Sequence, residues 1–179
     1  MASAWSPEVY ALALELAARA HGAQKTPHGL PYLAHVTAVC AEVQRALMEE
    51  RELDGDLAVA CALLHDTLED TALDPREVSR LFGERVLEGL RALTKDPSVP
   101  KDARMDDSLR RLRLRPREVW LVKLADRTVN LGPAPSHWSL DKRRAYLAEG
   151  GRILQALGEA SAWQAARLSA RMARYGEGL

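Results

Sequence analysis

The sequence predicts an all-α fold, and three observations carry that prediction. Apolar residues return at three- and four-residue spacing through most of the chain, the repeat that lines one face of a helix. Polar N-cap residues followed by proline open several of these stretches, and clusters of glycine and proline close them. With 179 residues, 47% of them hydrophobic, the chain has the size and apolar fraction of a single domain, expected to span residues 1–179.

The first helix is expected after Ser6 and Pro7, with Val9, Leu12, Ala13, Leu16, Ala17 and Ala20 on its apolar face. Gly22, Pro27, Gly29 and Pro31 mark 21–31 as a loop leading through Tyr32-Leu33-Ala34-His35 into a second helix with Val36, Val39, Cys40, Val43 and Leu47. From Leu57 to Leu64 nearly every position is apolar, so the third helix lacks a polar face and belongs at the centre of the core. Asp74-Pro75-Arg76-Glu77 combines an N-cap, an N1 proline and an N3 acid ahead of a short helix that Gly83 ends. Val86, Leu90 and Leu93 define the next one.

The polar segment from Thr94 to Arg104, with Pro97 and Pro100, reads as a long surface loop or, alternatively, as a linker between domains. Leu109 and Leu112 suggest a short helix, and Pro116-Arg117-Glu118 opens another. Within it Trp120-Leu121-Val122-Lys123-Leu124-Ala125 has strand propensity, but its helix-rich surroundings favour a helix, which Gly132-Pro133-Ala134-Pro135 stops. Two amphipathic helices, about 140–157 and 159–174, complete the chain.

Twenty-five basic residues balance twenty-five acidic ones, which excludes the global basic field of a non-specific nucleic-acid binder. No segment is long and apolar enough to span a bilayer, so no membrane partner is expected. Met1-Ala2-Ser3-Ala4-Trp5-Ser6-Pro7 lacks the basic and apolar regions of a secretory signal, and the expectation is a cytoplasmic protein. Cys40 and Cys61 each lie in an apolar segment and are expected as buried thiols rather than a disulfide. Oligomerisation is left open.

The chemistry concentrates in Ala62-Leu63-Leu64-His65-Asp66-Thr67-Leu68-Glu69-Asp70-Thr71, where a histidine and three carboxylates close an apolar run. A continuous helix would set His65 with Glu69, and Asp66 with Asp70, one turn apart on one surface. Imidazole and carboxylate together suit manganese, iron or zinc. A His-Asp pair also fits ordinary core packing, and Glu69 and Asp70 also fit solvated acids leading into a turn. Lys123-Leu124-Ala125-Asp126-Arg127 sets another acid at the end of another apolar helix, with Asn130 one turn later. Asp126 is then either a ligand or an ion-pair partner of Lys123 or Arg127.

These segments, with His21-Gly22-Ala23-Gln24, Gly29-Leu30-Pro31-Tyr32-Leu33-Ala34-His35, Phe82-Gly83, Leu93-Thr94-Lys95 and Val122 to Leu131, stand in an order that resembles HD-domain hydrolases of the RelA/SpoT type. The resemblance spans about residues 8–131 and is greatest to the small stand-alone alarmone hydrolases. It implies an HD-domain helical bundle with a metal, usually manganese or another divalent transition ion, held by His35, His65, Asp66 and Asp126. It further implies that Glu69 and Asp70 serve the hydrolytic water or proton transfer, and that Asn130 lies near a nucleotide.

A phosphorylated substrate needs local cations, for which Lys25, Lys95, Lys123 and Arg127 are candidates, each alternatively a solvated or ion-paired surface residue, and Tyr32 is a candidate for stacking on a base or for a core or loop-anchoring role. Lys25 is the nearest equivalent of a basic pair in the long enzymes, and Val129 and Gly132-Pro133 depart from the common family pattern. The implied reaction removes the 3′-pyrophosphate of guanosine 3′,5′-bis(diphosphate), ppGpp, or of its pentaphosphate relative. The alternatives are an HD phosphatase for another nucleotide, such as a deoxynucleotide or a 2′-phosphorylated dinucleotide, and a module that binds a nucleotide without cleaving it.

Overall fold

A computed structural model describes residues 5–179; of the N-terminal segment expected to lack a secretory signal, Met1–Ala4 lie outside the described residues. Helix α1 (Pro7–His21) begins as its sequence dictates, with the Ser6 hydroxyl accepting from the Val9 N–H at 3.3 Å. The loop after it is pinned by an isolated bridge between Lys25 and Pro31 and leads into α2 (Leu33–Leu47).

Helix α3 (Gly55–Leu64) is buried at every residue except Asp56. It needs no polar face because α1, α2, α6 (Glu84–Leu93) and α8 (Arg117–Asn130) surround it. Each leucine buried there stabilises the fold by roughly 1.5–3 kcal/mol relative to exposure. The packing is close: a Cβ on Gly89 would stand 2.9 Å from the Cys61 Sγ and 3.1 Å from Val119 Cγ2, so only glycine lets α6 approach α3 and α8. Glu118, read from sequence as a helix-start acid, is buried and accepts the Asp54 N–H at 2.7 Å, fixing the start of α3 to that of α8.

The continuous helix expected across His65 to Asp70 does not form. Helix α3 stops at Leu64, His65 and Asp66 turn, and a single turn, α4 (Thr67–Asp70), follows. Side chains take the carbonyls that would continue the ladder: His65 Nδ1 donates to Ala62 O at 2.8 Å and the Thr67 hydroxyl to Leu64 O at 2.7 Å. Asp66 and Asp70 nevertheless stay one turn apart, the Asp70 N–H donating to Asp66 O at 2.9 Å.

Helix α5 (Pro75–Phe82) starts at the Asp74 cap and ends at Gly83, whose φ of 84° suits glycine. Residues 94–103 form the expected irregular, largely exposed segment, and α7 (Arg104–Leu112) follows. The Trp120 segment is helical, inside α8. After the 132–139 turn come α9 (Leu140–Leu157), a 3₁₀ turn at Gly158–Ala160, and α10 (Ala162–Glu177). Helix α10 starts later than the expected 159 because Ser161, not Glu159, is the cap, its hydroxyl accepting from the Gln164 N–H. Gln164 reaches Thr128 on α8 at 3.0 Å, and Arg167 grips both oxygens of Glu42 on α2. No helix among the described residues is long and apolar enough to cross a membrane.

Candidate metal and nucleotide site

Four helix ends meet at one point. His35 comes from the first turn of α2, His65 from the end of α3, Asp66 from the start of α4 and Asp126 from the last turn of α8. The two Nε2 atoms of His35 and His65 are 3.3 Å apart. Asp126 Oδ1 lies 3.4 Å from His35 Nε2 and 3.7 Å from His65 Nε2. Asp66 Oδ2 lies 3.6 Å and 2.9 Å from the same two nitrogens. His35, His65 and Asp126 form the group of potential ligands whose donor atoms all lie within 4.8 Å of one another, and Asp66 adjoins it.

This donor set fits a divalent transition ion. Neighbouring ligands around an ion bound at about 2.0–2.2 Å stand roughly 3–3.5 Å apart, and the His35, His65 and Asp126 atoms, at 3.3, 3.4 and 3.7 Å from one another, come close to that spacing. The Ala62 carbonyl can only accept, so His65 carries its proton on Nδ1 and turns a lone pair on Nε2 toward the cluster. The carboxylates are oriented from outside: Tyr32 donates to Asp66 Oδ2 at 2.5 Å, Asn130 to Asp126 Oδ1, and Lys123 to Asp126 Oδ2 at 3.3 Å. Tyr32 is itself stacked on His21, with ring centroids 4.5 Å apart, and meets the edge of His35.

Without an ion His65 holds a proton strongly while Asp66 and Asp126 give theirs up readily. Burial opposes a charge on His65, but Asp66 and Asp126 outweigh it and raise its pKa well above the ordinary value. Burial likewise opposes the charge on Asp66, and His65 and the Tyr32 hydroxyl pull it down to about 2. For Asp126 burial is again opposed, here by Lys123, His35 and His65, and its pKa falls well below the usual carboxylate range.

Beside the cluster opens a cavity of about 470 Å³, into which Glu69, Asp70, Lys95, Lys123 and Asn130 all face. Glu69 is fully engaged by Lys95, through the backbone N–H at 3.0 Å and Nζ at 2.8 Å. Asp70 makes no such pair among the described residues; partial burial, then the charges of Asp66 and Glu69, hold its pKa above the ordinary value against the pull of Lys95 and His21. An adjoining cavity of about 700 Å³ is walled by Lys25, Tyr32, His35, Asn130, Trp138 and Tyr146.

Of the cations read from sequence, Lys95 and Lys123 border the first cavity while paired to acids, and Lys25 borders the second. Arg127 lines the first cavity but is only 5% exposed; it pairs with Glu149 at 3.1 Å and lies over the Tyr146 ring at 3.9 Å. Asp126 takes Lys123 rather than Arg127 as its partner. Sequence reading missed Lys101, Arg104 and Arg152 around the first cavity, and Trp138 and Tyr146 around the second. Only the spacing of Trp138, Lys142 and Tyr146, with Lys142 Nζ 4.2 Å from the Trp138 ring centre, hinted at a shared surface.

Comparison with known proteins agrees with this geometry. A family model described as HD domain matches residues 13–161. The human guanosine-3′,5′-bis(diphosphate) 3′-pyrophosphohydrolase MESH1 is 32% identical over 151 residues, covering 81% of this chain and 82% of that protein. GTP pyrophosphokinase rsh of Brucella ovis is 41% identical over 117 residues, 62% of this chain, and the alignment covers only 15% of that much longer relative. A solved structure reported as a metazoan ortholog of SpoT that hydrolyzes ppGpp superposes with a TM-score of 0.81 at 26% identity, over 97% of this chain and 98% of that one. On the family match and the likeness to MESH1 over 81% of this chain, with the His-Asp cluster at the meeting of four helix ends, the chain belongs to the HD-domain family, in the group that contains MESH1.

Proposed function

We propose that this protein is a metal-dependent 3′-pyrophosphohydrolase of guanosine 3′,5′-bis(diphosphate) and its pentaphosphate relative, acting in the cytoplasm as one domain on a free nucleotide. The observation that carries the reading is the convergence of His35, His65, Asp66 and Asp126 on one point at the edge of a cavity that also holds Glu69, Asp70 and several lysines and arginines. The relatives named for this activity, MESH1 among them, support the choice of substrate.

In this reading His35, His65, Asp66 and Asp126 would hold a manganese ion, which when bound would supply Lewis-acid activation of water and of a phosphoryl group. The chain's own groups supply the rest. Asp70, with its raised pKa and no ion pair among the described residues, accepts the proton of the attacking water. Glu69, held by Lys95, positions that water and keeps the Lys95 ammonium beside the substrate. Water adds to the phosphorus attached to the ribose 3′ oxygen, the bond to that oxygen breaks, and the ribose oxygen leaves with a proton. The products are pyrophosphate and GDP or GTP. The nucleoside occupies the cavity between Lys25, Tyr32 and Asn130, where Tyr32 and Trp138 offer aromatic faces.

Incubation of manganese-loaded protein with ppGpp and a panel of nucleotides, resolved by chromatography, tests this. Pyrophosphate with GDP is the expected product; orthophosphate, or turnover of a different nucleotide alone, would replace the reading with a different HD phosphatase.

A further inference from the structure

Behind the 132–134 turn, on the side away from the metal cluster, lies a separate cavity of about 320 Å³. Arg143 of α9 and Arg171, Arg174 and Tyr175 of α10 wall it together with the last residue, Leu179, and no Asp or Glu side chain lines it. The other arginines that bind helices together have carboxylate partners, as Arg167 has Glu42 and Arg115 has Glu88. These three have none among the described residues, and the Nε atoms of Arg143 and Arg171 and the hydroxyl of Tyr175 are buried without a hydrogen-bond partner. Two of the three guanidinium groups thus keep a buried N–H without an acceptor, and a bound anion would bring acceptor oxygens to the group.

We propose that this cavity is a binding site for a diphosphate group, either free pyrophosphate or the diphosphate of a nucleotide. The charge of such a group matches three arginines, and its many acceptor oxygens match their forked N–H donors and the Tyr175 hydroxyl. The volume, about ten waters' worth, admits a diphosphate where a single small ion would leave donors unanswered. Gly132 and Pro133 wall this cavity on one face and the Trp138 cavity on the other, so the bound group is a neighbour of the proposed nucleoside pocket without competing for it. The inference stands on the arginines alone and does not depend on the proposed reaction.

The test is calorimetric titration of the whole protein with inorganic pyrophosphate in the presence of a chelator, which removes divalent ions from the His-Asp cluster. The wild type and the Lys95→Gln variant should bind equally, whereas Arg171→Gln and the exposed Arg174→Gln should each bind at least tenfold more weakly at unchanged melting temperature. A parallel titration with GDP identifies the source: Arg174-sensitive binding of GDP assigns a nucleotide, and its absence assigns the free anion. Arg174→Lys, which keeps the charge but not the forked donors, separates lost binding from lost folding and should bind with an affinity between those of the wild type and Arg174→Gln. No pyrophosphate binding by the wild type, or binding lost with Lys95→Gln and kept with both glutamine variants, overturns the proposal.

Discussion

Glu69 gives both carboxylate oxygens to one residue, Lys95, one to its backbone N–H and one to its ammonium group. Burial alone would weaken the Lys95 charge, but Glu69 more than offsets it and raises the lysine pKa. The pair ties α4 to the loop after α6, and Arg111 secures that loop in turn by donating to the carbonyls of Arg91, Ala92 and Thr94.

Lys95→Met should therefore release Glu69 as well as remove a cation. A charge-assisted hydrogen bond is worth about 1.5–3 kcal/mol, so kcat should fall by about tenfold or more while the affinity for manganese stays unchanged. Steady-state kinetics and a metal titration check the two halves of that statement. Asp70→Asn should cost more, about 100-fold in kcat, as expected for loss of a proton acceptor.

Tyr32→Phe deletes one hydrogen bond and keeps the ring that stacks on His21. Loss of a group that orients a ligand typically lowers metal affinity 10–100-fold, so manganese should bind about tenfold more weakly with little change in melting temperature. Fluorescence-monitored metal titration reads the effect directly.

Much of this arrangement was legible in the sequence, because caps and periodicity are local. Ser6-Pro7, Asp74-Pro75 and Gly83 set helix ends where their chemistry requires, and the unbroken apolar run of α3 announced a helix with no solvent face. The break at His65 was not legible, since it depends on side chains taking the carbonyls of Ala62 and Leu64, a choice that tertiary contacts decide. In the site, His35, His65, Asp66 and Asp126 converge as motif order suggested. Arg104 and Arg152 carry no local signal; only the packing of α7 and α9 brings them to the cavity.

The metal-free protein should lose stability as pH rises. His65 has a folded pKa above 6.5, so its contribution is complete below that value and disappears as pH climbs through the raised pKa. Asp66, depressed to about 2 from 3.8, contributes above 3.8 and loses that contribution as pH falls through about 2. The melting temperature in chelator should accordingly be highest between these limits. Manganese should raise it more at pH 8 than at pH 6, because binding must displace the His65 proton. Thermal scans with and without the ion across that range measure both trends.

Cys40 and Cys61 are free and buried, and burial pushes each thiol up to about 12. A disulfide-exchange reagent at pH 8 should label neither in the folded protein and both after denaturation. Rapid labelling of either thiol in the native state would show that α2 or α3 opens.

The most direct measurement is the rate of pyrophosphate release from ppGpp by the manganese-loaded wild type beside Asp126→Ala, with folding of both verified by melting temperature. Asp126 touches both histidines and is held by Lys123 and Asn130, so its loss should abolish metal-dependent turnover, by at least 1000-fold, and empty the site of bound manganese. Wild-type-like pyrophosphate release by folded Asp126→Ala would contradict the account.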